Sequence, residues 1–374
     1  GPMTIRMLLV NPLDAGQFAP PHIDSRFNLD VRQYISWRDL HARLADSLAG
    51  CGRVAMEYAP GCTLPVVSTV DAGTVELVRA MGVEVVSSAD LIQTSIARWS
   101  DRAVTQHAAD SIAVNAIKDE AFDQIRQALR AGRTLTERDV QTFIQRRFTE
   151  SGLEFPDGPI VAVNTHAGDP HFEPSPTSPS PITPGDWVLI DLWARKAARV
   201  NADGTFERDE DRIYSDITWT GFCGRADQCP PRCLDVFNAV RDARDAALHL
   251  AQKAWAARQG VQGWQLDDAA RAVLIERGLE SAIRHRTGHS LSPGPLVHGV
   301  GMSLDNLETR DTRQMLPGIG FTIEPGAYLP EEIVPGPRGP IRGFGVRNEI
   351  NVYVDPQRGP VVTSGSQVEP VWLG

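Results

Sequence analysis

A chain of 374 residues with 42% hydrophobic residues can bury a sizeable core, and its length suggests two domains more readily than one. Its 47 acidic against 37 basic residues give a formal net charge of -10, which disfavours nucleic acid and anionic membrane surfaces as partners. Five cysteines, Cys51, Cys62, Cys223, Cys229 and Cys233, match neither a zinc-knuckle nor a Cys-x-x-Cys spacing and read as reduced thiols. The apolar run 7–10 is too short for a signal-peptide core or a membrane span, so the expected setting is cytoplasmic.

Residues 5–10 read as a strand, and 37–49 place Leu40, Leu44 and Leu48 at helical spacing before Gly50 and Gly52 stop the run. A βα rhythm follows, with a strand at 53–58, a helix at 74–81 stopped by Gly82, a strand at 83–86 and a helix opening at Ala89. This first stretch is expected to form a small α/β domain over 1–102. It has no phosphate-cradling glycine loop, so its expected role is shape, assembly or one wall of a cleft. At 103 the pattern changes to a long helix ending near 129, whose expected apolar stripe is Ile112, Ala116, Ile117, Ala121 and Ile125. Thr136 and Asp139 approximate a capping box for a second helix through Phe148.

A strand at 159–164 leads to His166 and His171, and five prolines within 174–184 predict an extended surface loop. The strand 187–193 and the segment around Asp216 are joined by a charged stretch, 195–212, expected to be a hairpin excursion. Helices are expected at 233–259 and 266–276. The Gly-, Pro- and His-rich remainder, 283–354, suits antiparallel strands carrying functional loops.

Four acids occupy places where a carboxylate is costly. Asp191 ends the apolar run 187–190, Asp216 lies inside 214–218, Glu324 stands between the apolar 321–323 and Pro325-Gly326, and Glu349 follows 345–348. An acid buried in such a strand costs on the order of several kcal/mol unless it is paired or bound to a cation. Any one alone reads more readily as a satisfied structural acid. Together with His289, in Thr287-Gly288-His289-Ser290, they make a set of hard oxygen donors with one nitrogen, which suits paired Mn, Co, Zn or Fe ions.

The ordered series Asp191-Leu192, Ser215-Asp216, Gly288-His289, Thr322-Ile323-Glu324-Pro325-Gly326 and Arg347-Asn348-Glu349 closely resembles the pita-bread metallopeptidases, the family of methionine aminopeptidase, Xaa-Pro aminopeptidase and prolidase. The match runs over roughly residues 105–360. It implies an α/β (α+β) fold in which the small N-terminal domain, 1–102, precedes a pita-bread catalytic domain, 103–374. It also implies that Asp191 chelates one metal, that Asp216 and Glu349 bridge two, and that His289 and Glu324 complete the second. The expected cofactor is a pair of divalent ions, Mn first, with Co, Zn or Fe as alternatives.

In that family the nucleophile is a hydroxide between the two cations, since metal binding lowers the pKa of water from about 15.7 to about 7. The resemblance makes Glu324 the proton shuttle as well as a ligand. It places His171 facing the substrate and His298 as a donor to the scissile carbonyl or its tetrahedral intermediate. His166 competes with His171 for its role, and His285 is a weaker third candidate. Arg347 is expected to orient a metal carboxylate or its neighbours. Trp193, Trp219, Phe344 and Tyr328 stand at strand spacing as core or as pocket wall.

The separate N-terminal domain favours the aminopeptidase P and prolidase branch, and with it a peptide substrate cleaved before proline and a homodimer. The alternatives are a same-fold hydrolase of a specialised small amide and a binding protein without turnover. Three departures stand out. Asp191 and Asp216 are further apart than in the usual hairpin, His289 and His298 are nine residues apart where seven is typical, and Asn348 replaces an apolar residue.

Overall fold

The structure is a computed structural model and describes residues 6–18, 29–203 and 205–374. The chain divides into two compact units, Gly1–Tyr58 with Ser68–Ser88 and Ala59–Val67 with Ala89–Gly374. The helix Ala89–Ser95, which the sequence pattern assigned to the first domain, therefore belongs to the second unit.

In the first unit, Arg6–Val10 pairs in parallel with Leu29–Gln33, and Arg53–Met56 with Glu84–Ser87. Ile5, the first residue of the expected strand, lies outside the described residues. The helix Trp37–Leu48 starts where Ser36 accepts a hydrogen bond from the Asp39 amide at 3.2 Å, and Ala72–Ala80 starts where Asp71 accepts from Thr74 at 2.9 Å. Val75 and Val78 of the second helix and Leu44 and Leu48 of the first pack in one cluster with Val83, Val85, Val54 and Met56.

In the second unit the long helix runs Asp101–Arg130, capped by Ser100, and Glu137–Glu150 begins with the capping box of Thr136 and Asp139. Two of the five stripe residues are displaced from the expected core: Ile112 is 73% exposed and Ala116 is exposed too. The buried line is Val114, Ile117, Ala121, Phe122, Ile125 and Ala128, and it packs with Val140, Ile144 and Phe148 on Val188, Ile190 and Leu192. Lys118 is buried in the same face because its ammonium lies 3.2 Å from the Trp219 ring centroid and pairs with Asp119 at 3.0 Å. The proline-rich loop is not wholly free, since Pro181–Ile182 pairs with Leu135–Thr136.

Strand Trp187–Lys196 lies between Ile160–Val163 and Ser215–Phe222, antiparallel to both. The stretch between the two aspartates carries its own hairpin, Arg199–Val200 against Phe206–Glu207. Helices Pro231–Ala256 and Gly263–Glu276 pack their alanine-rich faces on the other main core, around Phe237, Phe321, Phe344 and Val352. There Gly320–Ile323 is flanked by Ser290–Leu291 and Ile350–Asp355, while Gly326–Val334 pairs with Ile341–Arg347. No helix among the described residues is long and apolar enough to cross a membrane.

Candidate metal centre

Strand alternation decides which side chains meet. Asp191 faces Ile160 on one side and Thr218 on the other in the ladder, while Trp193 faces Asp216, so these side chains share one face of the sheet. Glu324 follows the strand Gly320–Ile323, and Glu349 lies between Ile341–Arg347 and Ile350–Asp355. His289 is placed by a close backbone approach. Its amide donates to Thr322 Oγ1 at 2.9 Å, and a Cβ on the preceding Gly288 would lie 2.1 Å from the Thr322 carbonyl oxygen. Glycine is required there by packing.

All five expected ligands line one cavity of about 760 Å³, together with His171, His285, His298 and Arg347. Among the described residues, Asp216, His289 and Glu349 form a group that could hold an ion, each with one ligand atom within 4.8 Å of the others. His289 Nε2 lies 3.4 Å from Asp216 Oδ2 and 3.3 Å from Glu324 Oε1. Its Nδ1 is 3.1 Å from the Ser290 carbonyl oxygen, so the ring proton belongs there and the Nε2 lone pair points at two carboxylates. Glu349 Oε1 is buried without a hydrogen-bond partner.

The Thr218 hydroxyl has one proton but stands 3.0 Å from Asp191 Oδ1 and 2.8 Å from Glu349 Oε2, and it accepts from Arg347 Nε at 2.8 Å. Acceptors thus outnumber donors throughout the cluster. Four carboxylates face one guanidinium and a neutral imidazole, a donor set that fits divalent cations and is costly without them.

The electrostatics carry the same message. Burial, reinforced by Glu324, holds the Asp216 carboxyl well above its usual range, with Asp157 a lesser contributor, and burial with Asp216 does the same for Glu349. Burial also raises Asp191, to about 7, against the pull of Arg347. For Glu324 burial acts upward, yet His289, His285 and Arg347 together leave it below the ordinary value. Burial lowers His289, while His298 is pushed down to about 3, first by His289 and then by burial.

Arg347 binds Asp191 Oδ2 through Nη2 and reaches the Tyr328 hydroxyl at 3.3 Å through Nη1. Tyr328 in turn lies 2.7 Å from His285 Nε2, whose Nδ1 is 2.7 Å from the Arg286 carbonyl oxygen. His285 is therefore an acceptor at Nε2, tied to Arg347 through the tyrosine. His298 packs at a tilt of 38° on His289 with centroids 4.1 Å apart, and its Nδ1 lies 3.5 Å from Arg286 Nη2.

His166 and His171 part company. His166 pairs with buried Glu137 at 2.9 Å and stacks on Phe172, whereas His171 is exposed and lines the cavity. Of the four aromatic candidates only Trp193 lines it. Phe344 and Tyr328 are fully buried, and Trp219 packs beneath Lys118. Asn348 is buried and satisfied, accepting from Arg244 at 2.6 Å and donating to the Gln367 carbonyl at 3.1 Å, which accounts for a polar residue at that position. Thr218 and Thr322 escaped the sequence reading, although each is two residues from an acid and strand periodicity puts such pairs on one face.

A two-unit chain whose larger unit carries this acid-rich centre defines a class, the pita-bread fold with a metal-type site. The profile of metallopeptidase family M24 matches residues 112–356, and the chain belongs to that family. It is 29% identical over 212 residues to Probable dipeptidase PepE of Mycobacterium bovis, covering 57% of this chain and 48% of that protein. It is 25% identical over 214 residues to the Xaa-Pro dipeptidase of Lactobacillus helveticus, covering 56% and 47%. The chain thus spans about half the length of the curated relatives it matches. Its fold is similar to the crystal structure of dipeptidase PepE from Mycobacterium ulcerans, with a TM-score of 0.65 at 21% identity over 99% of this chain and 84% of that one.

Proposed function

We propose that this chain is a metal-dependent exopeptidase that hydrolyses the bond after an amino-terminal residue, with Xaa-Pro peptides as its substrate class. The observation that carries the reading is the meeting of Asp216, His289 and Glu349, their ligand atoms within 4.8 Å of one another, in a cavity also lined by Asp191 and Glu324. Membership of family M24 supports peptide hydrolysis, and relatives named as dipeptidases and as an Xaa-Pro dipeptidase support the substrate class.

Asp191, Asp216, His289, Glu324 and Glu349 would hold two divalent ions, Mn first among those to test, then Co, Zn and Fe. When bound, such ions polarise a carbonyl and lower the pKa of water to about 7. The chain's own groups do the rest. Glu324 Oε1 accepts from Thr322 at 2.9 Å, which leaves Oε2 to take a proton from the attacking water and return it to the leaving nitrogen. Arg286 faces His298 Nδ1, so its Nε2–H is the donor to the substrate carbonyl as negative charge builds there. Arg347 fixes the carboxylate of Asp191, and His171 meets the substrate at the cavity rim.

The same reading carries a homodimer, a catalytic role for the larger unit rather than the small amino-terminal one, and a reducing cytoplasmic setting, for which the five free cysteines speak. The test is hydrolysis of Xaa-Pro dipeptides and longer Xaa-Pro peptides by chelator-stripped protein reloaded with each metal. Release of the first residue only with metal is expected. Absence of turnover with every metal contradicts the reading.

A further inference from the structure

Four of the acids lining the cavity belong to the metal-type cluster, and Glu308 is taken by Arg286, at 2.9 Å to its amide and 3.2 Å to its guanidinium. One acid on the wall is left over. Asp157 is exposed to the cavity and accepts a single hydrogen bond, from Trp193 Nε1 at 3.0 Å, and among the described residues it pairs with no Arg, Lys or His. Trp193 is the cross-strand neighbour of Asp216, so the indole and the carboxylate it holds stand beside the cluster on that side.

The indole is fixed by the loop that carries Asp157. A Cβ on Gly158 would lie 2.5 Å from Trp193 Cζ2, and Gly158 has φ +66°, so the ring lies against bare backbone where only glycine is comfortable. No Arg or Lys of the chain is stacked on that ring among the described residues. A rigid indole beside an unneutralised carboxylate is complementary to an alkylammonium or guanidinium group, which the ring attracts through its π-face and the acid through charge.

We propose that Asp157 and Trp193 form a seat for a positively charged group on the amino-terminal residue of the substrate, either its α-ammonium or a Lys or Arg side chain. The proposal rests on the peptidase reading, because an enzyme that releases the first residue must hold that residue next to the reacting centre. Asp157 supplies the charge, and Trp193 positions it and covers the alkyl stem.

Titration calorimetry of the metal-free full chain with four peptides separates the two sources: Lys-Pro, norleucine-Pro, N-acetyl-Lys-Pro and N-acetyl-norleucine-Pro. The last peptide, which carries no positive charge, should bind about 5- to 10-fold more weakly than the best of the others. Asp157→Asn, whose amide oxygen still accepts from the indole, should abolish that preference and leave the affinity for the peptide without a positive charge within about twofold. A preference that follows lysine in both free and acetylated forms assigns the seat to the side chain. One that follows the free amine alone assigns it to the α-ammonium. Four equal affinities, no detectable binding, or a preference that survives Asp157→Asn overturns the proposal. Parallel assays of metal-loaded wild type on Lys-Pro keep the readings apart, since a Asp157-dependent preference without turnover would remove the peptidase reading and leave the seat.

Discussion

Glu324 and Thr218 carry the sharpest consequences at the level of single residues. Glu324→Gln keeps the shape of the side chain and its contact with Thr322 but cannot take a proton. Its kcat is expected to fall about 10²- to 10⁴-fold with the thermal midpoint little changed, as read by steady-state assay and calorimetry on one preparation. Full activity in that variant would remove the shuttle role. Thr218→Val tests the support around the ligands. Its hydroxyl touches Asp191, Glu349 and Arg347 at once, so losing it should weaken metal binding about 10- to 100-fold in a chelator competition while the fold persists. Unchanged affinity would mean that the hydroxyl positions nothing.

The meeting of Asp191, Asp216, His289, Glu324 and Glu349 at one cavity was legible because each is a local anomaly, an acid or imidazole placed where an apolar or turn residue is the norm. Thr218 was not, because threonine is at home in any strand and only the register opposite Asp191 gives it a role. The partition of His166 and His171 was equally hidden, since it depends on Glu137, 29 residues away, capturing His166.

Among the elements, the long helix Asp101–Arg130 shows what periodicity conveys and where it stops. Its existence and its end near 129 follow from sequence, but the Ser100 cap does not, and Ile112 was drawn to the wrong face because a buried Lys118 and Asp110 broke the apolar count. Each has a specific partner that no pattern contains, the Trp219 ring for Lys118 and Arg212 for Asp110 at 2.9 Å. The same helix holds His107, fully buried with Nε2 at 2.8 Å from Thr363 Oγ1 and its ring 4.6 Å from that of Trp99. Burial lowers its pKa from 6.5 to about 4. Stability from this group is therefore complete above pH 6.5 and is lost as pH falls through 6.5 toward 4, because the unfolded chain binds the proton first. The loss is on the order of 3 kcal/mol. Urea unfolding at pH 7.5 and pH 4.5 should show a larger drop for wild type than for His107→Gln. Equal drops would contradict the assignment.

For the molecule as a whole, the acid cluster links folding to metal and to pH. Burial raises Asp191, Asp216 and Glu349, so the folded metal-free chain keeps protons that the unfolded chain has released. Their contribution is fully present below the ordinary carboxylate range near pH 4 and is lost as pH rises through the raised values, about 7 for Asp191. Cations replace those protons, so the gain in melting temperature on adding Mn should be larger at pH 8 than at pH 5. A gain that is equal, or larger at pH 5, would count against binding at these carboxylates. The stretch between the two aspartates and the longer His289 to His298 loop touch where the Gly294 amide donates to the Glu210 carbonyl at 2.8 Å and Arg195 Nη1 donates to the Gly294 carbonyl at 2.8 Å. Two of the departures noted in the sequence thus meet in the structure, which no reading of either segment alone contains.

The central claim is that five side chains from separate segments hold a pair of divalent ions. Metal content per chain after equilibrium dialysis against Mn, followed by elemental analysis, tests it most directly. Wild type is expected to retain about two ions, as two-metal hydrolytic sites do, and a chain carrying both Asp216→Asn and Glu349→Gln fewer than one. Wild type that retains none, or a double variant that still retains two, would contradict it.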